Sequence, residues 1–135
     1  MEKKFIFLDH TADIKFKIHG KDLNEIFENT VLALSKYISG DKKLKDKEER
    51  SIIIEGKDQE SILYKFIDEI IYLLDAEGFV VKSAKVKIKD DKLTAELSGD
   101  NTSGYNLNHI KAATYSEMYV KKTKTCWEAQ AVVDV

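Results

Sequence analysis

No proline occurs in the 135 residues, cysteine and tryptophan occur once each, and Arg50 is the only arginine. Each shortage removes a class of protein. Without proline, no strand candidate has to be moved to a sheet edge. Cys126 alone cannot close an internal disulfide, and no spacing of cysteines and histidines resembles a zinc site, so a reducing, cytoplasmic setting is expected. Arginine supplies the planar fork preferred for reading guanine, so a chain whose positive charge is almost all lysine is not expected to read DNA sequence. Long apolar runs are also missing. The longest is Ile70 to Leu74, and the start offers only Phe5 to Leu8. Neither approaches the ~20 residues of a membrane span or the core of a secretory signal, so a soluble protein without membrane association is expected.

What remains is an ordinary folding composition: 43% hydrophobic residues, with 22 basic residues nearly balanced by 24 acidic ones. Bulk charge does not demand a nucleic-acid partner. The length fits one domain, 1–135, able to bury a core without metal or disulfide staples.

Periodicity orders the chain. A strand is expected from Lys4 to Leu8. Ile14, Phe16 and Ile18 then alternate with Lys15, Lys17 and His19 as in a half-buried strand. Gly20 ends it, Asp22 reads as a helix cap with Glu25 at the capping-box position, and a helix is expected over 22–38. The mixed charges from Gly40 to Arg50 read as a solvated loop. Ile52 to Ile54 resume a strand, and Asp58 caps a second helix carrying Ile62, Leu63, Phe66, Ile67, Ile70, Ile71 and Leu74. The passages Ile18-His19-Gly20-Lys21-Asp22 and Ile54-Glu55-Gly56-Lys57-Asp58 resemble each other, as a duplicated strand-helix unit would or, more simply, as shared turn chemistry would. Ala84 to Ile88 and Leu93 to Leu97 form a hairpin around Asp90-Asp91. Stretches 112–120 and 126–135 read as two more strands. The fold class is therefore α+β: about seven strands in a mostly antiparallel or mixed sheet, with two helices packed on one face.

Chemistry concentrates at the two ends. Phe7-Leu8-Asp9-His10-Thr11-Ala12-Asp13-Ile14 places two carboxylates and a histidine in a short polar break. Strand parity puts Asp13 on the face of Lys15 and Lys17, opposite Ile14, Phe16 and Ile18. In the last strand Trp127, Ala129, Ala131, Val133 and Val135 share one face, while Glu128, Gln130 and Asp134 share the other. If this strand runs antiparallel to the one beginning at Asp13, then Asp13, Asp134 and the terminal carboxylate of Val135 converge. Crowded carboxylates need a proton, a basic group or a cation. An all-oxygen set suits calcium, magnesium or manganese, and residue types alone do not choose among them. The alternative is that both aspartates only cap strand ends. Asp9 and His10 fit a role in the turn, or in supporting the ligands from behind, better than direct ligation. Gly99 to Gly104 lacks the lysine and hydroxyl of a phosphate loop, and neither a nucleophile elbow nor metalloprotease spacing occurs. Lys111 stands at a strand entrance followed by small residues, placed either to meet a partner or simply to face solvent.

Three segments together, Leu8-Asp9-His10-Thr11-Ala12-Asp13-Ile14, Lys111-Ala112-Ala113-Thr114-Tyr115-Ser116-Glu117-Met118-Tyr119-Val120 and Val132-Val133-Asp134-Val135, resemble the archease family, as does Phe66-Ile67-Asp68-Glu69 in the second helix. The resemblance spans essentially the whole chain. It implies an activator of the RNA ligase RtcB in tRNA splicing, one that promotes guanylylation and turnover of the ligase, can broaden its use of nucleoside triphosphates, and is not itself a catalyst. It also implies a divalent metal, most often calcium, held at positions matching Asp13, Asp134 and Val135, and a partner-activating role for Lys111. The expected partner is then the ligase, with tRNA engaged only through it. Two other classes compete: a stand-alone divalent-metal phosphohydrolase, for which His10 is the only nearby base, and a chaperone-like modulator of RNA-processing enzymes.

Overall fold

Two aspartates start the two helices. In the computed structural model, which describes residues 3–8 and 13–135, Asp22 accepts the Glu25 N–H at 2.8 Å and opens α1 (Leu23–Ser39). Asp58 accepts the Ser61 N–H at 2.7 Å and donates its own N–H to Ser61 Oγ at 3.2 Å, a reciprocal cap that opens α2 (Gln59–Glu77). These bonds satisfy amides that a helix start leaves without partners. The repeated glycine ahead of each cap answers to crowding. A Cβ on Gly20 would lie 3.0 Å from the Ile26 nitrogen, and one on Gly56 would lie 2.6 Å from Ser61 Oγ.

Around the helices run β1 (Phe5–Leu8), β2 (Asp13–Gly20), β3 (Glu48–Glu55), β4 (Phe79–Lys89), β5 (Lys92–Asn101), β6 (Ala112–Ala113), β7 (Tyr119–Lys122) and β8 (Trp127–Asp134). The α+β class and the antiparallel pairing match expectation, but the strands divide between two sheets. One has the order β1-β2-β8-β6, with β7 also on β8; the other has the order β3-β5-β4. The division has a local cause at the free edge of β4. There Glu28 Oε2 accepts the Val86 N–H at 2.9 Å and Asn24 Oδ1 accepts the Ile88 N–H at 2.8 Å, so side chains of α1 take the positions a further strand would use. Each helix therefore touches both sheets, α1 through β2 and β4 and α2 through β4 and β6, instead of lying on one face of a single sheet. One apolar cluster joins all layers, with Phe27 and Phe66 of the two helices meeting edge to face at 5.6 Å.

The stretch 112–120, expected as one strand, is interrupted. Ala112 and Ala113 pair with Asp134 and Val133, and Tyr119 and Val120 pair with Gln130 and Ala129. Five residues, 114–118, thus span what Ala131 and Val132 span on β8, and the surplus bulges out of the sheet. The charged stretch before β3 also departs from a plain loop: Glu48 to Arg50 already belong to the strand, and Leu44 is buried.

Backbone crowding is tightest at Gly99 in β5, where a Cβ would meet the Val80 carbonyl oxygen of β4 within van der Waals radii. Gly104 instead has φ 88° and open space around it. Gly99→Ala is expected to lose about 3 kcal/mol in urea unfolding, and Gly104→Ala only about 1 kcal/mol from its left-handed backbone.

Candidate functional site

β2 and β8 pair antiparallel over their full lengths, from Gly20 opposite Trp127 to Asp13 opposite Asp134. Facing residues in such a pair project to the same side of the sheet. One side carries Phe16, Ile18, Ala129 and Ala131 into the core. The other therefore carries Asp13, Lys15, Lys17 and His19 of β2 beside Asp134, Val132, Gln130 and Glu128 of β8. The sequence parity that assigned Asp13 and Asp134 to polar faces is met, and the two carboxylates are direct cross-strand neighbours.

Their electrostatics are shared. Asp13's side chain hydrogen-bonds to Asp134's carboxyl, and this bond, with burial and the repulsion of Asp13's charge adding to it, raises the Asp134 pKa above the usual carboxylate range. Lys111 acts in the opposite direction, its charge favouring ionised Asp134. The lysine is exposed, immediately precedes β6, and donates its backbone N–H to the Asp134 carbonyl at 2.8 Å. Val135 follows Asp134 and is half-buried, its side chain packed on the core. Among the described residues, no group of three or more His, Cys, Asp or Glu side chains could hold a metal. Within the described residues, the donors left to complete the shell of a cation between Asp13 and Asp134 are main-chain oxygens, the Val135 carboxylate among them, and water. Asp9 and His10, expected to support the site from the turn without ligating a metal directly, lie outside the described residues.

Further along the same face a second network sits beside β7. Glu128 accepts the Tyr119 hydroxyl at 2.6 Å and lies 3.0 Å from His19 Nε2, with Lys121 Nζ at 3.6 Å. The Tyr119 bond, then His19 and the lysine charges, hold Glu128 below its ordinary range despite partial burial. Burial first, then the same bond, pushes the Tyr119 hydroxyl well up.

The 114–118 excursion closes over this face. Thr114 donates to the Val132 carbonyl at 2.8 Å, buried Gln130 donates its side-chain amide to the Glu117 carbonyl at 2.8 Å, and Lys15 pairs with Glu117 at 2.9 Å. On its other flank Tyr115 stacks on Tyr64 of α2, with ring centroids 4.2 Å apart and planes within 6°. Sequence reasoning did not single out Glu117 or the tyrosine pair. Its only available signal was the placement of Lys15 on the face of Asp13.

A sequence model described as the Archease protein family (MTH1598/TM1083) matches residues 5–135. The chain belongs to the archease family. The archease of Methanosarcina barkeri is 36% identical over 141 residues, covering 98% of this chain and 97% of that protein. The archease of Pyrococcus furiosus is 39% identical, covering 94% and 95%. Among solved structures, Methanobacterium thermoautotrophicum protein 1598 is similar, with TM-score 0.79 and 29% identity over 98% of this chain and 99% of that one. An archease of Thermotoga maritima described as a possible chaperone shares the fold at TM-score 0.69 and 20% identity, covering 100% and 98%. The archease resemblance therefore holds over residues 5–135, and the described parts of the segments that first carried it, Asp13 and Ile14, Ala112 and Ala113, and Val133 and Asp134, lie next to one another at one end of β2 and β8.

The Glu128 network yields a pH test. A lowered folded pKa contributes stability above the unfolded carboxylate range, and that contribution disappears as pH falls through the folded value. Tyr119→Phe is expected to cost about 1 kcal/mol at pH 7. In chemical unfolding from pH 7 downwards, the gap between wild type and variant should persist through the ordinary carboxylate range and narrow only below it, as Glu128 becomes protonated in wild type as well.

Proposed function

We propose that this archease-family protein activates the RNA ligase RtcB in tRNA splicing, promoting the ligase's guanylylation and multiple turnover without catalysing a step itself. The observation that carries the reading is the convergence of Asp13, Asp134 and Lys111, one from each diagnostic segment, at one end of the sheet. Two facing carboxylates, Asp134 with its hold on a proton strengthened by Asp13, form a set of hard oxygen donors that a divalent cation fits, because it can take the place of a proton and neutralise both charges. Calcium is the proposed ion, with Asp13, Asp134 and the Val135 carboxylate holding it and magnesium or manganese as substitutes. Exchange of the proton for the ion would fix the end of β8, and through the Lys111–Asp134 backbone bond it would fix the position of Lys111 as well. Lys111 is then a preorganised point charge for a phosphate or carboxylate of the ligase. We place the protein in the cytoplasm and take its contact with tRNA to be through the ligase.

A guanylylation assay with purified ligase tests this. Adding wild-type protein with calcium should accelerate turnover. Lys111→Ala and Asp134→Ala should each reduce the gain by roughly tenfold or more, the effect of losing one interfacial charge contact worth about 1.4 kcal/mol. No acceleration by the wild type would defeat the reading. Phosphatase activity of the isolated protein, lost in Asp134→Ala, would replace it with a hydrolase.

A further inference from the structure

Lys15 shares a face with the acidic pair. It lies two residues along β2 from Asp13 and opposite Val132, so Asp134 is its diagonal neighbour on β8. Diagonal neighbours in a sheet are about 7–8 Å apart, within reach of a long side chain. An ammonium placed there would neutralise the carboxylates and compete with a divalent cation for the same oxygens. The Lys15 ammonium is directed elsewhere. Its Nζ lies 2.9 Å from Glu117 Oε1, and its side chain is only 19% exposed. Lys111, by contrast, acts electrostatically on Asp134.

Glu117 is held in an unfavourable backbone conformation where it makes this contact. It occupies the third position of a turn closed by the Met118 N–H on the Tyr115 carbonyl at 3.2 Å, with φ 53°. That is left-handed territory, where glycine or asparagine is relaxed and a glutamate is not. The buried amide of Gln130 fastens the Glu117 carbonyl, and the Tyr115–Tyr64 stack anchors the same turn to α2. A residue kept in such a conformation by its surroundings is one whose side chain has a task.

We propose that Glu117 is a positioning residue that holds the Lys15 ammonium away from the Asp13–Asp134 pair and so out of competition with a divalent cation for their oxygens. This rests on the metal reading above. Lys15 is the built-in competitor, and Glu117 is its restraint.

Calorimetric titration of the metal-free full chain with calcium chloride tests the assignment in four proteins: wild type, Glu117→Gln, Lys15→Met and the double variant. Glu117→Gln should weaken calcium binding on the order of tenfold, because one positive charge moves next to the site. Lys15→Met should bind at least as tightly as wild type, and the double variant should match Lys15→Met. Glu117→Gly, which relaxes the turn, should melt no lower than wild type yet bind calcium as weakly as Glu117→Gln, separating position from folding. A weakening that persists undiminished in the double variant overturns the assignment while leaving the metal site standing. A wild-type chain that takes up no calcium overturns the metal site and this role together.

Discussion

The register between β2 and β8 is the constraint on which the rest of the molecule depends. Side chains alternate faces along a strand, so a slip of one residue would take Phe16, Ile18, Ala129 and Ala131 out of the main core and put Lys15 and Lys17 into it. Burial of that apolar row therefore fixes which faces the two strands share, and within that choice the strands pair from Gly20–Trp127 to Asp13–Asp134. The same pairing places Asp13 opposite Asp134, an arrangement that hydrophobic packing alone would not select. Two carboxylates forced together by register need a proton, a basic group or a cation between or beside them.

Much of the surrounding structure can be read as support for that register. Glu128 bridges His19 on one neighbouring strand and Tyr119 on the other, so a charged residue at the centre of the sheet is paired and hydrogen-bonded from both sides. Glu60 at the start of α2 accepts the Val120 N–H at 3.1 Å, as Glu28 and Asn24 of α1 accept amides of β4. Helix side chains thus end both sheets where more strands would otherwise add. At the end of β8 lie the half-buried acidic pair and, exposed beside it, Lys111 and the turn that carries Glu117.

The helices and the acidic convergence were legible in the sequence because each depends on local signals. Asp22 and Asp58 cap helices wherever those helices pack, and period-two alternation assigns Asp13 and Asp134 to faces without any knowledge of the sheet. The division into two sheets was not legible. It depends on Glu28 and Asn24 of α1 reaching amides some 60 residues away, and nothing in the local pattern marks those two among other polar helix residues. The excursion at 114–118 escaped for a similar reason. Thr114, Tyr115 and Met118 have strand-forming or neutral preferences, and the left-handed Glu117 offers no glycine or asparagine to announce a turn. Tertiary bonds from Gln130 and Lys15 override local preference there. The contact that organises Lys15 joins residues 102 apart and leaves no short-range trace.

The central claim, that register forces Asp13 and Asp134 into one shared site, is tested most directly by thermal melting of wild type and Asp134→Asn from pH 4 to pH 8, with chelator and with calcium. A raised folded pKa contributes stability below the ordinary carboxylate range and loses it as pH rises through the folded value. In chelator, wild type should therefore lose stability relative to Asp134→Asn as pH rises, and calcium should restore it in wild type alone. Parallel melting curves for the two proteins, unmoved by calcium at every pH, would contradict the account.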